Sequence, residues 1–135
     1  RYTDFILSSV IERLKKENAI SAFFYISDHA ENLYDDDNNL ILHGGGQFSE
    51  YEAHVPILLW TSESYNGKFP HKRKELNEHV NKKLSSDNLF HTILDIAAIS
   101  YPGEQLEKSF ASSAFKEDSV RYILMPDYQA VSIKK

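Results

Sequence analysis

Apolar residues at Phe5, Ile6, Val10, Ile11 and Leu14 recur at close to helical spacing, with Arg13, Lys15 and Lys16 on the remaining face. The pattern predicts a helix over 3–17, closed by Asn18. The spacing then changes. Ser21-Ala22-Phe23-Phe24-Tyr25-Ile26 is apolar almost throughout, as strands covered on both faces are, and predicts a strand over 21–27. A second such run, His54-Val55-Pro56-Ile57-Leu58-Leu59-Trp60, predicts a buried strand with Pro56 confined to its beginning. Between them, 28–53 reads as one long loop, a length that compact domains usually reserve for function or leave disordered. Residues 61–70 are polar and turn-rich.

Helical patterns follow at 71–84 and 87–99. The latter takes Asp87 as N-cap and offers Leu89, Phe90, Ile93, Leu94, Ile96 and Ala97 as a wide buried face. Tyr101-Pro102-Gly103 ends it, and 104–118 reads as a polar linker. Val120–Leu124 and Ala130–Ile133 flank Met125-Pro126-Asp127-Tyr128 and predict a terminal hairpin. Helix, strand, loop, strand, helix is the alternation of a layered α/β protein. Two central strands and a hairpin make a thin sheet, as expected of part of a larger fold. The chain begins at Arg1, already inside the first helix, which also reads as a piece of something longer.

The 135 residues amount to one domain, able to bury roughly two-thirds of its unfolded surface. A net charge of −5 with scattered Lys and Arg argues against a nucleic-acid footprint. Absence of cysteine removes disulfides and Cys-rich zinc sites. No run approaches the roughly 18 apolar residues of a membrane span, and no signal peptide is visible.

The chemistry concentrates after the first strand. Asp28-His29 sits where the chain leaves a sheet, the edge at which open α/β sheets bind ligands. A carboxylate oxygen beside an imidazole nitrogen suits zinc or a similar divalent ion. A capped turn, with Ser27 and Asp28 accepting backbone hydrogen bonds and His29 exposed, is the competing reading. Glu31 is a candidate to accept a proton from a ligand imidazole, against a plain solvated acid. His43, ahead of Gly44-Gly45-Gly46, can ligate metal or donate to a phosphate oxygen. That glycine run lacks the Lys-Ser/Thr of a P-loop. Asp35-Asp36-Asp37-Asn38-Asn39 fails the EF-hand spacing and reads as a solvated acidic loop. His54, His71 and His79 read as surface residues and His91 as a packed one. No Ser-His-Asp set assembles.

The segment Phe24-Tyr25-Ile26-Ser27-Asp28-His29-Ala30-Glu31-Asn32-Leu33 resembles the "YxSDHGESL" block of the lipid A and lipooligosaccharide phosphoethanolamine transferases, sulfatase-like members of the alkaline phosphatase superfamily. The resemblance continues in order through Leu42-His43-Gly44, Val55–Ser62 and Asp87–Leu94, and Arg1–Phe5 resembles the preceding "YTDxFL" helix. It covers most of 1–99, the metal-site half, while 100–135, linker and hairpin, matches loosely. Ala30 departs from the family's usual glycine, a substitution that costs roughly 1 kcal/mol if the turn needs positive φ.

The resemblance implies a partial alkaline phosphatase/sulfatase-like layered sheet with flanking helices and a C-terminal hairpin, spanning 1–135 as the C-terminal portion of a catalytic domain. It implies an enzyme anchored in the inner membrane of a Gram-negative bacterium, with its catalytic domain in the periplasm. A zinc-bound threonine nucleophile, outside this chain, would take phosphoethanolamine from a phospholipid donor and pass it to lipopolysaccharide or lipid A. By position, Asp28 and His29 would be zinc ligands, His43 would hold the substrate phosphate or a second zinc, and Glu31 would support a ligand. The alternatives are a sulfatase-like hydrolase or phosphatase with the same metal block, and a non-catalytic module retaining the fold. Apolar faces left open in a partial domain are expected to promote self-association.

Overall fold

A computed structural model of the chain describes residues 1–35, 37–43, 49–125 and 128–133. The chain forms two compact units, one of Arg1–Phe24 with Leu59–Asp118 and one of Tyr25–Leu58 with Ser119–Lys135. The class is mixed α/β, as expected, but the described strands form three two-stranded sheets.

In the first unit, α1 spans Tyr2–Lys16. Glu17 caps its end, and Asn18 (φ 48°) takes the left-handed conformation that commonly terminates helices. Its apolar stripe is exposed at its start, Phe5 67% and Ile6 41% accessible, and half-buried at Ile11 and Leu14. β1 (Ala22–Ile26) and β4 (Ile57–Thr61) are hydrogen-bonded neighbours that begin in one unit and end in the other. Both were expected to be fully buried, yet most of their residues are half-buried and Ala22 is exposed. Each has only the other as a described sheet neighbour.

The turn-rich stretch after β4 is helical instead. Ser62 N-caps the helix Glu63–Lys68 (α3) by accepting the Tyr65 N–H. The Ser62 hydroxyl also receives the Ser21 N–H and donates to Ala19 O, so one side chain starts the helix and ties it to the entry of β1. α4 (Pro70–Glu78) follows with proline at its first position, where no N–H is needed.

α5 runs Asp87–Ile96, with Ser86 rather than Asp87 at the N-cap. Its buried stripe is polar: Asn88, Thr92 and Asp95, joined by Ile96. Phe90 and Ile93, expected in the core, are 59% and 48% exposed, and Ala97 is exposed. The reason lies in the segment taken for a linker. A 3-10 turn at Leu106–Lys108 leads into Ser109-Phe110-Ala111-Ser112, all four buried. Asn88 Nδ2 donates to Lys108 O, Thr92 Oγ1 accepts the Phe110 N–H, and Asp95 Oδ2 accepts the Ser109 hydroxyl at 2.6 Å. An irregular buried segment must satisfy its polar groups somewhere, and side chains one helical turn apart do so. Lys72 of α4 forms an ion pair with the other Asp95 oxygen.

The core of this unit is Tyr65, Ile96 and Ala111, with Leu59, Phe69 and Leu76 packed against it. His79, expected on the surface, is half-buried, with Nδ1 2.9 Å from Phe110 O and its ring on Phe115. His91 is packed as expected, 2.6 Å from the Tyr101 hydroxyl.

The second unit holds the supposed long loop, which is partly regular. β2 (Asn32–Leu33) and β3 (Ile41–Leu42) form an antiparallel hairpin, pairing Asn32 with Leu42 and Leu33 with Ile41. α2 (Glu50–Ala53) starts on Ser49, whose hydroxyl accepts the Tyr51 N–H. β5 (Arg121–Leu124) and β6 (Ala130–Ile133) form the expected terminal hairpin, Arg121 opposite Ile133 and Leu124 opposite Ala130. Pro126-Asp127 of its predicted turn, the Gly44–Gly46 run and Asp36 lie outside the described residues.

Candidate metal centre

The residues singled out by sequence fall in one unit, on the exit from β1 and the two ends of the β2–β3 hairpin. The turn after β1 is held by its own polar groups. Ser27 Oγ donates to His29 O at 2.8 Å, and the His29 N–H donates to Asp28 Oδ1 at 3.1 Å. That backbone donor first, then Asp28's own N–H and after it the nearby His29 ring, lowers the Asp28 carboxyl from its ordinary value. Ala30 is not among the residues with positive φ, so alanine enters this turn without the strain that a glycine-only conformation would impose.

His29 Nδ1 lies 3.0 Å from Ala30 O. A carbonyl oxygen only accepts, so Nδ1 carries the proton there and Nε2 keeps a free lone pair. Asp28 Oδ2 is 3.9 Å from that Nε2, its side chain 88% exposed. The hairpin brings in the other two. Glu31 precedes β2, His43 follows β3, and the register Asn32–Leu42 sets them side by side. Glu31 Oε1 is 2.8 Å from His43 Nδ1, and the His29 and His43 rings lie 3.8 Å apart.

One ligand atom each from His29, Glu31 and His43 lies within 4.8 Å of the others. Asp28 is not in that set but reaches His29 from the solvent side. Nitrogen and carboxylate oxygen donors without sulfur match zinc or another borderline divalent ion, so the residues present fit such a metal. Both histidines, Glu31 and Asp28 are half-buried or exposed.

The hairpin depends on two residues that sequence reasoning passed over. Asn32, only 3% exposed, donates through Nδ2 to Leu42 O at 2.8 Å and to Glu52 Oε1 at 2.5 Å. Asn32 lies inside the block quoted above, whereas Glu52 carries no motif signal. His54 and His71 are exposed and outside this cluster, as expected.

The family model described as Sulfatase matches residues 1–99. The phosphoethanolamine transferase EptC of Escherichia coli strain K12 is 32% identical over 128 residues, 93% of this chain and 21% of that protein. The chain thus spans about one-fifth of the length of that relative. The crystal structure of the C-terminal periplasmic domain of EptC from Escherichia coli matches with a TM-score of 0.85 at 30% identity, covering 98% of this chain and 37% of that one. The same domain in complex with Zn matches with a TM-score of 0.84 at 29% identity, over 96% of this chain and 36% of that one. The fold is therefore sulfatase-like, as the motifs implied, and the chain belongs to the sulfatase family.

Proposed function

We propose that this chain forms the zinc-holding C-terminal portion of a phosphoethanolamine transferase, which moves phosphoethanolamine from a phospholipid to lipopolysaccharide or lipid A. The inner membrane, with the catalytic part facing the periplasm, is its proposed location. The observation that carries the reading is the pairing of His29 Nε2, freed by the Nδ1 contact to Ala30 O, with Asp28 Oδ2 at 3.9 Å. The relatives' names support the transferase over a hydrolase of the same family.

In this reading Asp28 and His29 ligate zinc, with the nucleophile supplied from outside the chain. Zinc, when bound, polarises the phosphoryl oxygen and lowers the nucleophile's pKa. His43 holds the phosphate of the transferred group or a second zinc. Glu31 accepts the His43 Nδ1 proton, which fixes the ring and leaves Nε2 directed away from the carboxylate. None of the described helices is long and apolar enough to cross a membrane, so contact with the bilayer is assigned to the rest of the transferase. The exposed α1 stripe of Tyr2, Phe5 and Ile6 supports self-association of the chain by itself.

The test is transfer by the whole enzyme from a phospholipid donor. Asp28→Ala and His29→Ala should abolish it, because these side chains hold the activating ion, whereas His43→Ala should mainly weaken substrate handling. Full activity of Asp28→Ala would sink the assignment. Release of free phosphoethanolamine without transfer would favour the hydrolase instead. The isolated chain should bind zinc weakly, since such sites want three or four protein ligands in tight geometry.

A further inference from the structure

We infer that Asn32 and Glu52 form a clamp that positions Glu31 and His43, a role that rests on the site reading above. Neither residue belongs to the His29–Glu31–His43 cluster, yet each holds the chain beside a member of it. Glu52 binds both neighbours of Glu31: its main-chain oxygen accepts the Ala30 N–H at 2.8 Å, and its Oε1 accepts the Asn32 amide at 2.5 Å. Glu31 is therefore suspended between two anchored residues.

The other proton of the Asn32 amide goes to Leu42 O at 2.8 Å. Leu42 has φ 63°, a left-handed conformation that a branched side chain rarely adopts. It directly precedes His43, so this strained turn aims the imidazole back at Glu31 and against the His29 ring. Strained conformations persist where their surroundings over-determine them. Here the surroundings are a ladder of two residue pairs, too short to be stable by itself, plus the Asn32 side chain. Both partners of Nδ2 are pure acceptors, so the amide has only one orientation that satisfies them. At 3% exposure Asn32 has little water to fall back on if either acceptor is lost.

The test compares Glu52→Leu, which removes the acceptor, with Glu52→Gln, whose side-chain oxygen keeps it. Three quantities are measured on the full chain: the nuclear Overhauser contact between the His29 and His43 ring protons without metal, the affinity for Zn2+ alone, and thermal unfolding. Glu52→Leu should lose the ring contact and weaken Zn2+ binding by about 10- to 100-fold, as loss of outer ligand support commonly does. Glu52→Gln should retain both. A clamp that only stabilises the fold would shift the melting temperature and leave the ring contact intact, and that result overturns the inference. Equal damage by the Leu and Gln variants overturns it as well. If Glu52→Leu does not fold, Asn32→Ala removes both side-chain bonds of the clamp, to Glu52 and to Leu42 O, and leaves the main-chain bond from Ala30 to Glu52 in place; the same loss of ring contact is expected. Zn2+ affinity that is unmoved by His29→Ala would instead refute the metal reading, and the metal-free ring contact would still decide the clamp.

Discussion

Replacing Asp95 by alanine should be among the most damaging single changes in the first unit. Asp95 is 8% exposed; one oxygen takes the Ser109 hydroxyl at 2.6 Å and the other pairs with Lys72, whose side chain is 13% exposed. Ser109 itself has no accessible surface. Truncation therefore strands a nearly buried ammonium and leaves a fully buried hydroxyl without its acceptor. Breaking a buried pair from one side costs about 3–5 kcal/mol, chiefly through the uncompensated charge that remains. Against a typical total stability of about 5–15 kcal/mol, the variant should sit close to its unfolding limit at room temperature. Asp95→Asn keeps the Ser109 acceptor but leaves the Lys72 ammonium without its carboxylate, so it should recover only the hydroxyl's smaller share of the loss. Lys72→Met with Asp95→Leu removes both charges together and should recover much of the loss. Urea unfolding of the chain, followed by circular dichroism, measures all three. A cost below about 1 kcal/mol for Asp95→Ala, the value of an exposed pair, would show that Lys72 and Asp95 are solvated rather than buried. A double variant as unstable as the single one would refute the stranded-charge argument.

Ser62→Ala deletes the α3 cap and both bonds to the entry of β1, so it should cost about 1–2 kcal/mol in the same assay; a neutral result would refute the triple role of that hydroxyl. Ala30→Gly should destabilise by about 0.4–1 kcal/mol, since the turn does not use positive φ and glycine only adds unfolded-state freedom; a gain in stability would contradict the backbone geometry. Burial, then the nearby Asp95 charge, pushes the Tyr65 hydroxyl up to about 12 from 10.0. The folded state therefore holds this proton longer than the unfolded chain, so its contribution is intact below pH 10.0 and fades as the pH rises towards about 12. Tyr65→Phe should lose less stability across that window, and identical alkaline profiles for the two proteins would count against the burial of the phenol.

The positions of α1, β1, β4, α5 and the terminal hairpin were legible along the chain because local periodicity and turn chemistry dictate them. So were the candidate site residues, since Asp28, His29 and His43 stand in an ordered set of motifs and the first two are adjacent. Which faces are buried was not legible. Phe90 and Ile93 look like core and are exposed, while Asn88, Thr92 and Asp95 look like surface and are buried, because residues 106–112 return from beyond the helix and need polar partners. No local pattern in 104–118 announces that return: a few apolar residues such as Phe110 and Ala111 stand among polar ones, and burial of the segment's polar groups becomes tolerable only once three side chains of another element satisfy them. The same holds at the site. Glu31 and His43 are twelve residues apart, and their meeting at 2.8 Å depends on a two-pair hairpin, a left-handed Leu42 and the Asn32–Glu52 contact twenty residues apart. Composition and spacing specify which groups are available for chemistry. Long-range hydrogen bonds, whose energy exists only when both partners are already in place, decide where those groups point.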